Sequence, residues 1–105
     1  MSDRELLEAA ARAAGIELTD YCTKVAICYY NRRTQAPWNP LTDDGDALQL
    51  AVKLGIELYD SHQYGKACAY LRNPMLEFWE NIGTDPYAAT RRAIVRAAAA
   101  LEGKP

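Results

Sequence analysis

Cysteine and histidine are scarce in this chain, and their scarcity excludes several kinds of protein. Only three cysteines and one histidine occur among 105 residues. The cysteines follow neither a CxxC spacing nor that of a zinc ribbon, so the sequence indicates neither a disulfide framework nor a structural metal site. We expect all three thiols, those of Cys22, Cys28 and Cys68, to be reduced.

Long apolar runs are also missing. No stretch approaches the roughly 18 to 20 apolar residues that a membrane-spanning helix needs. Residues 1–10, MSDRELLEAA, are charged from the third residue and lack the apolar centre and cleavage site of a secretory signal. We therefore expect a cytoplasmic protein that does not enter a membrane.

Excess charge of one sign is absent as well. The formal net charge is −2, which is too small for an acidic mimic of DNA. It also offers no concentrated basic face of the kind that non-specific binding to nucleic-acid phosphates requires. Any charged partner must therefore be engaged by a local patch.

The first half of the chain contains clear signals for a helix and a hairpin. Ser2 and Glu5 have the spacing of a capping box, and Gly15 is typical of a helix end. Residues 16–18 and 24–30 are rich in β-branched and aromatic side chains, which predicts two short antiparallel strands. Prolines then predict a loop over residues 31–40.

A second helix is predicted to begin after Thr42 as its N-cap and to end at Gly55. Its apolar positions cover more than half of its circumference, so we expect it to be the most buried helix. A second hairpin follows in residues 56–59 and 66–71. The segment that contains Pro74, Phe78 and Trp79 is interpreted as looser chain.

The third helix has the strongest start signal. Asp85 provides an N-cap and Pro86 the first helical position, and the helix is expected to run to about Glu102. Its alanines allow close packing. The expected apolar face consists of Tyr87, Ile94, Ala97, Ala98 and Leu101.

The sequence Gly-Ile-Glu-Leu occurs at residues 15–18 and again at 55–58. Predicted helices of equal length precede both copies, and a hairpin and a tryptophan follow each, which defines pseudo-repeat units 2–41 and 42–83 with a closing helix at 85–102. Either duplication or convergence of common helix-to-strand junctions explains this pattern. Both predict an αββαββα order, and hence an α+β fold with about four mainly antiparallel strands beneath three helices.

Three segments carry a resemblance to a known group: WNPLTDDGDAL at 38–48, LAVKL at 50–54 and DPYAATRRAIVRAAA at 85–99. Together they resemble the phage ABA (alpha-beta-alpha) sandwich group of small bacteriophage proteins, which is similar in pattern to NinX-type phage proteins. The resemblance implies a single three-layer α-β-α domain over residues 1–105. It also implies an accessory protein that acts in the cytoplasm of the infected bacterial host, and it brings no catalytic residues.

The polar residues favour no enzyme. The aspartates at 43, 44 and 46 have a spacing that can hold Mg²⁺, but helix capping explains them equally well. His62 is a candidate general base, yet its predicted place is a hairpin turn. Cys22 is a candidate nucleophile with only Lys24 nearby to lower its pKa. We expect no catalytic residues, no metal and no cofactor.

Two groups of side chains are candidates for binding. One is a set of arginines that either forms an anion-binding patch or belongs to a solvated helix face: Arg91, Arg92, Arg96, Arg32 and Arg33. The other is aromatic. Trp38 and Trp79 lie in equivalent predicted loops, where each either covers the core or serves as a binding hot spot. Phe78 and Tyr70 are further partner-binding candidates.

We therefore expect a non-catalytic interaction protein whose partner is a host or phage protein, and whose effect is to counter a host defence or redirect host machinery. One alternative is a binder of a small anionic molecule or nucleotide, which would act as a sponge for a defence signal. A weaker alternative is nucleic-acid binding through the arginine face of the last helix. The sequence does not indicate an oligomeric state.

Overall fold

The structure is a computed structural model, and it describes residues 2–22, 27–61, 63–72 and 75–102. Three helices and five strands form within these residues, and the strands belong to two antiparallel sheets, β1-β2 and β3-β4-β5. The predicted α+β class is confirmed. In chain order the elements are α1 (Asp3–Ala14), β1 (Leu18–Cys22), β2 (Ile27–Asn31), α2 (Asp44–Leu54), β3 (Glu57–Ser61), β4 (Lys66–Arg72), β5 (Met75–Asn81) and α3 (Pro86–Ala100).

The predicted starts of α1 and α3 are confirmed, whereas α3 ends at Ala100, two residues before the expected end near Glu102. The hydroxyl of Ser2 accepts from the backbone N–H of Glu5, and the Glu5 carboxylate accepts from the N–H of Ser2, so the capping box is complete. Asp85 accepts from the first two free N–H groups of α3, with Pro86 at the first helical position. Local side-chain chemistry therefore sets both starts.

The start of α2 differs by one residue from the prediction. Asp43, not Thr42, is the N-cap, and its carboxylate accepts from the N–H of Asp46 at 2.8 Å. The Thr42 hydroxyl instead donates to the carbonyl of Asn39 at 3.4 Å. A charged carboxylate is the stronger acceptor at a positive helix end, which explains the choice.

The most buried helix is α3, and the expectation that α2 would be is wrong. α3 packs against α1, α2, β4 and β5, because alanines on its surface let neighbours approach from several sides. α2 buries one narrow stripe and leaves Leu48 and Val52 more than half exposed. Tyr87, which was predicted on the apolar face of α3, is exposed as well.

The segment that was interpreted as looser chain is a fifth strand. β5 pairs antiparallel with β4 over its full length, with Trp79 opposite Cys68. Its side chains alternate between exposed and half-buried from Met75 onward, which is the period of a strand with one covered face. Pro74, which suggested a loop, precedes the strand and lies outside the described residues. The five strands also form two sheets and not a single one of four strands.

The two predicted repeat units share a helix, a glycine at positive φ and a hairpin. The glycines are Gly15 and Gly55, with φ of 71° and 69°. The units differ after the hairpin, because the chain that follows β2 pairs with it through a single bridge between Tyr30 and Pro37. Proline has no N–H with which to continue a ladder. Duplication of an ancestral unit stays a hypothesis.

The smaller sheet is joined to α1 through Tyr29. The phenol of this buried residue donates to the Glu8 carboxylate at 3.0 Å and accepts from the Arg4 guanidinium at 3.2 Å. Burial, followed by the bond to Glu8, raises the pKa of Tyr29 above its usual value.

No helix in the described ranges is long and apolar enough to cross a membrane.

Candidate functional site

The larger sheet has two unlike faces. Its inner face packs on α3 and contains the buried Ala69 and Leu71 together with Phe78. Its outer face consists of the side chains that alternate with these, and we call it the aromatic face. It comprises Glu57, Tyr59, Cys68, Tyr70, Arg72, Met75, Glu77 and Trp79.

Three large side chains of the aromatic face are open to solvent. Tyr59 is 55% exposed, Met75 69% and Trp79 44%. The helix that packs on this sheet is α3, and it covers the inner face. A sheet normally buries at least one face and solvates the other with polar residues, so exposed apolar side chains on the solvated face need a separate explanation.

A groove of about 470 Å³ runs over the aromatic face. Its floor is Cys68, which is 3% exposed and pairs with Tyr59 on one side and Trp79 on the other. The two rings meet edge to face, with centroids 6.4 Å apart and planes inclined by 77°. Because the cysteine between them is short, the two rings can meet above it.

Two carboxylates lie next to the rings of Tyr59 and Trp79. Glu57 and Glu77 flank Tyr70 in the register of the sheet. Arg72 hydrogen-bonds to Glu57, and this bond lowers the pKa of that carboxyl below its usual value. The carboxylate of Glu77 accepts from the indole N–H of Trp79 at 3.0 Å. The indole is thereby held in one orientation.

The thiol of Cys68 is not suited to nucleophilic chemistry. Burial raises its pKa above the usual value, which keeps it protonated at neutral pH. The remaining chemical candidates are not placed by the structure: the side chains of Cys22 and Cys28, as well as His62 and Lys24, lie outside the described residues.

The structure separates the four aromatic residues proposed for partner binding. Trp79 and Tyr70 share the aromatic face. Phe78 lies on the inner face, where the guanidinium of Arg96 stands 5.4 Å from its ring centroid. Trp38 is 5% exposed and belongs to the core.

Sequence reasoning missed Tyr59 and Met75. The signal that could have found Met75 is the two-residue alternation of residues 75–81. Read as a strand beside 66–72, it places Met75 and Trp79 on one face.

Most of the candidate anion-binding arginines already have a carboxylate partner. Arg91 lies 2.7 Å from Asp44, Arg92 lies 2.8 Å from Asp3, and Arg32 lies 3.6 Å from Glu17. Arg96 is paired with Glu80.

The three arginines of α3 thus point to three different elements, α2, α1 and β5. Arg92 and Arg96 line one pocket of about 370 Å³ together with Glu80, but each guanidinium in it is already paired with a carboxylate. Arg33 is exposed in the loop after β2, and its backbone N–H donates to the side chain of Asn31 at 2.9 Å.

The three aspartates at the start of α2 each contact a protein group. Asp43 caps the helix, Asp44 pairs with Arg91, and Asp46 accepts from the N–H of Asn39 at 2.9 Å. Burial raises the pKa of Asp46, and its hydrogen bond to Asn39 partly opposes this. Across the described residues, no cluster of three or more side chains is arranged to hold a metal ion.

Comparisons of the chain with models of protein families, with curated proteins and with solved structures gave no match. Function therefore has to be argued from the aromatic face itself.

Proposed function

We propose that this chain is a non-catalytic binding protein that engages a protein partner through the aromatic face. The observation that carries this proposal is the exposed pair of Tyr59 and Trp79, which lines one groove with Met75 on a sheet face that no helix of the described residues covers. Tryptophan and tyrosine are the residues most enriched at binding hot spots, and methionine is enriched at interfaces. Apolar side chains grouped on a surface mark interaction sites more often than isolated ones do.

The charges of the aromatic face favour a protein over a nucleic acid or a nucleotide. Glu77 lines the groove, and Arg72, which also lines it, is already paired with Glu57, so the Glu77 carboxylate, unpaired among the described residues, repels phosphate. In the alternative, a small anionic ligand binds through the arginines. The guanidinium groups, which are now paired, would first have to leave their carboxylates. Binding of nucleic acid by α3 has the same requirement.

The resemblance to the phage ABA sandwich group supports the biological setting of this proposal. In that setting the chain is an accessory protein in the cytoplasm of an infected bacterium, and it binds a host or phage protein to counter a host defence or redirect host machinery. The three-layer α-β-α order would be completed over the aromatic face by a helix of the partner.

The proposal is tested by affinity purification of the tagged full chain from infected cells, followed by binding measurements with surface variants. A recovered protein must then be purified and must bind the wild-type chain directly. Trp79→Ser and Tyr59→Ser should each weaken that binding at least tenfold. Tyr87→Ser is the matched control, because Tyr87 is an exposed tyrosine on α3, away from the aromatic face.

Two results would contradict the proposal. One is a direct partner that binds the Trp79→Ser and wild-type chains equally well. The other is sedimentation that shows a dimer which Trp79→Ser dissociates, because the occupant of the face is then a second copy of this chain.

A further inference from the structure

We infer that the groove of the aromatic face receives a basic side chain of the partner, an arginine, beside Trp79 and Glu77. This inference rests on the proposed function and adds the chemistry of the contact. It follows from the charges on the face, from the orientation of the rings and from the shape of the groove.

The charges leave one carboxylate on the face without a basic partner. Arg72 is paired with Glu57, and the ammonium of Lys66 donates to the side chain of Asn81. The hydrogen bond of Glu77 is to the neutral indole of Trp79. Among the described residues, no lysine or arginine forms an ion pair with Glu77. A cation in the groove would supply that missing charge.

The rings give a cation a further contact. Tyr59 and Trp79 are in edge-to-face contact, so a group in the groove lies beside the pair, against a ring face that the other ring does not cover. Ring faces are negative and attract cations, most strongly for tryptophan. The indole N–H donates to a carboxylate, which fixes the orientation of the ring.

The groove suits a guanidinium better than other cations. Its floor is apolar at Cys68 and rings line it, whereas Mg²⁺ and Ca²⁺ require several oxygen ligands. Compared with an ammonium, a guanidinium is flat, is more weakly hydrated and stacks on aromatic faces. An arginine side chain can therefore lie on Trp79 while its N–H groups reach the carboxylate of Glu77.

The two tryptophans allow a direct test by NMR. The chain, labelled with ¹⁵N, is titrated with N-acetyl-arginine amide, and both indole N–H signals are followed. The matched ligand is N-acetyl-citrulline amide, which has nearly the same shape without the charge, and sodium chloride at equal ionic strength is the salt control. The buried Trp38 serves as an internal reference.

We expect the Trp79 signal to move with the arginine compound while the Trp38 signal stays in place. The arginine compound should bind roughly two to five times more tightly than the citrulline compound, as an exposed ion pair with Glu77 implies. Glu77→Gln should remove most of this preference, because it removes the charge with which the arginine pairs. The amide oxygen of the variant can still accept from the indole N–H, so the ring is held as before. Glu17→Gln, which removes an equal charge on the chain before β1, should leave the preference unchanged.

Equal binding of the arginine and citrulline compounds would overturn the inference, and so would an arginine preference that survives Glu77→Gln. Either result is compatible with a protein partner that depends on Trp79, so the proposed function would stand. Conversely, if the arginine preference is found but no partner depends on Trp79, the groove recognises a guanidinium and the proposed function fails separately.

Discussion

Tyr59 and Trp79 lie on the two outer strands of a three-stranded sheet, yet their rings meet edge to face with centroids 6.4 Å apart. The residue between them in the register is Cys68 of the central strand. A larger side chain there would separate the rings and fill the groove. The small buried thiol is therefore what allows two exposed aromatic residues to act as one surface.

The two tryptophans should differ in their access to solvent. Trp79 is 44% exposed and Trp38 is 5% exposed, so Trp38→Phe should leave fluorescence that acrylamide quenches readily. Trp79→Phe should leave emission at shorter wavelength that is protected from quenching. Stern–Volmer plots of the two variants measure this directly. Similar quenching of both would contradict the described placement.

The same residues should differ in their contribution to stability. Trp38→Ala should lower the free energy of unfolding by about 3–5 kcal/mol, because it removes a large buried side chain. Trp79→Ala should cost far less, since an edge-to-face pair contributes about 0.5–1.5 kcal/mol. Urea denaturation of both variants checks the difference. A larger loss for Trp79→Ala would mean that the aromatic face is structural and not free for binding.

Arg91 should hold α3 to the start of α2. Its guanidinium donates to the carbonyl of Leu41 at 2.8 Å and to Asp44 at 2.7 Å, and its side chain is 16% exposed. Arg91→Met should therefore destabilise the fold by about 1.5–3 kcal/mol, as the loss of a charged, largely buried hydrogen bond does. Arg33→Met is the control and should change the free energy of unfolding by less than about 0.5 kcal/mol. Equal effects would show that Arg91 has no such role.

Asp46→Asn should raise stability at neutral pH. Burial, with help from the nearby Asp43, raises the pKa of Asp46 in the folded state. The folded protein therefore holds this proton more tightly than the unfolded chain, and stability falls as pH rises through the raised pKa. An asparagine keeps an acceptor for Asn39 without the buried charge.

Denaturation curves at neutral pH and at about pH 4, near the ordinary pKa of aspartate, measure the difference between Asp46→Asn and wild type. The advantage of the variant should shrink at the lower pH. Asp20→Asn, at an exposed carboxylate of β1, removes the same charge without this burial and is the control. If Asp46→Asn were less stable than wild type only at neutral pH, the expected direction of this stability change would be contradicted.

Gly15→Ala and Gly55→Ala should be about equally destabilising. Both glycines have positive φ, 71° and 69°, and a Cβ at either position would meet open space. The cost is therefore one of backbone conformation alone, about 1–2 kcal/mol. Gly55→Asn should lose less, because asparagine tolerates this conformation. Thermal unfolding of the three variants checks the order, and a neutral Gly55→Ala would contradict it.

The helix ends and the hairpins were predictable because their causes are local. Ser2 and Asp85 satisfy N–H groups only two or three residues away, and Gly15 and Gly55 end helices through their own backbone. The Asp43 cap was missed by one residue, since Thr42 and Asp43 are both good caps and their side chains compete. The burial of α2 was misjudged for a different reason. Its apolar residues surround the helix, and only the position of α3 decides which of them is covered.

The sequence by itself determined the three helices to within two residues of their ends, the pairing of β1 with β2 and of β3 with β4, and the α+β class of the fold. Only the tertiary structure decided what Phe78 and Trp79 do. They are adjacent in the sequence, but β5 pairs with β4 and successive side chains of a strand point to opposite faces. Phe78 therefore packs under Arg96, while Trp79 joins Tyr59 on the open side. Local sequence sets the period of that alternation, but the long-range packing of α3 on one face determines which side is left exposed.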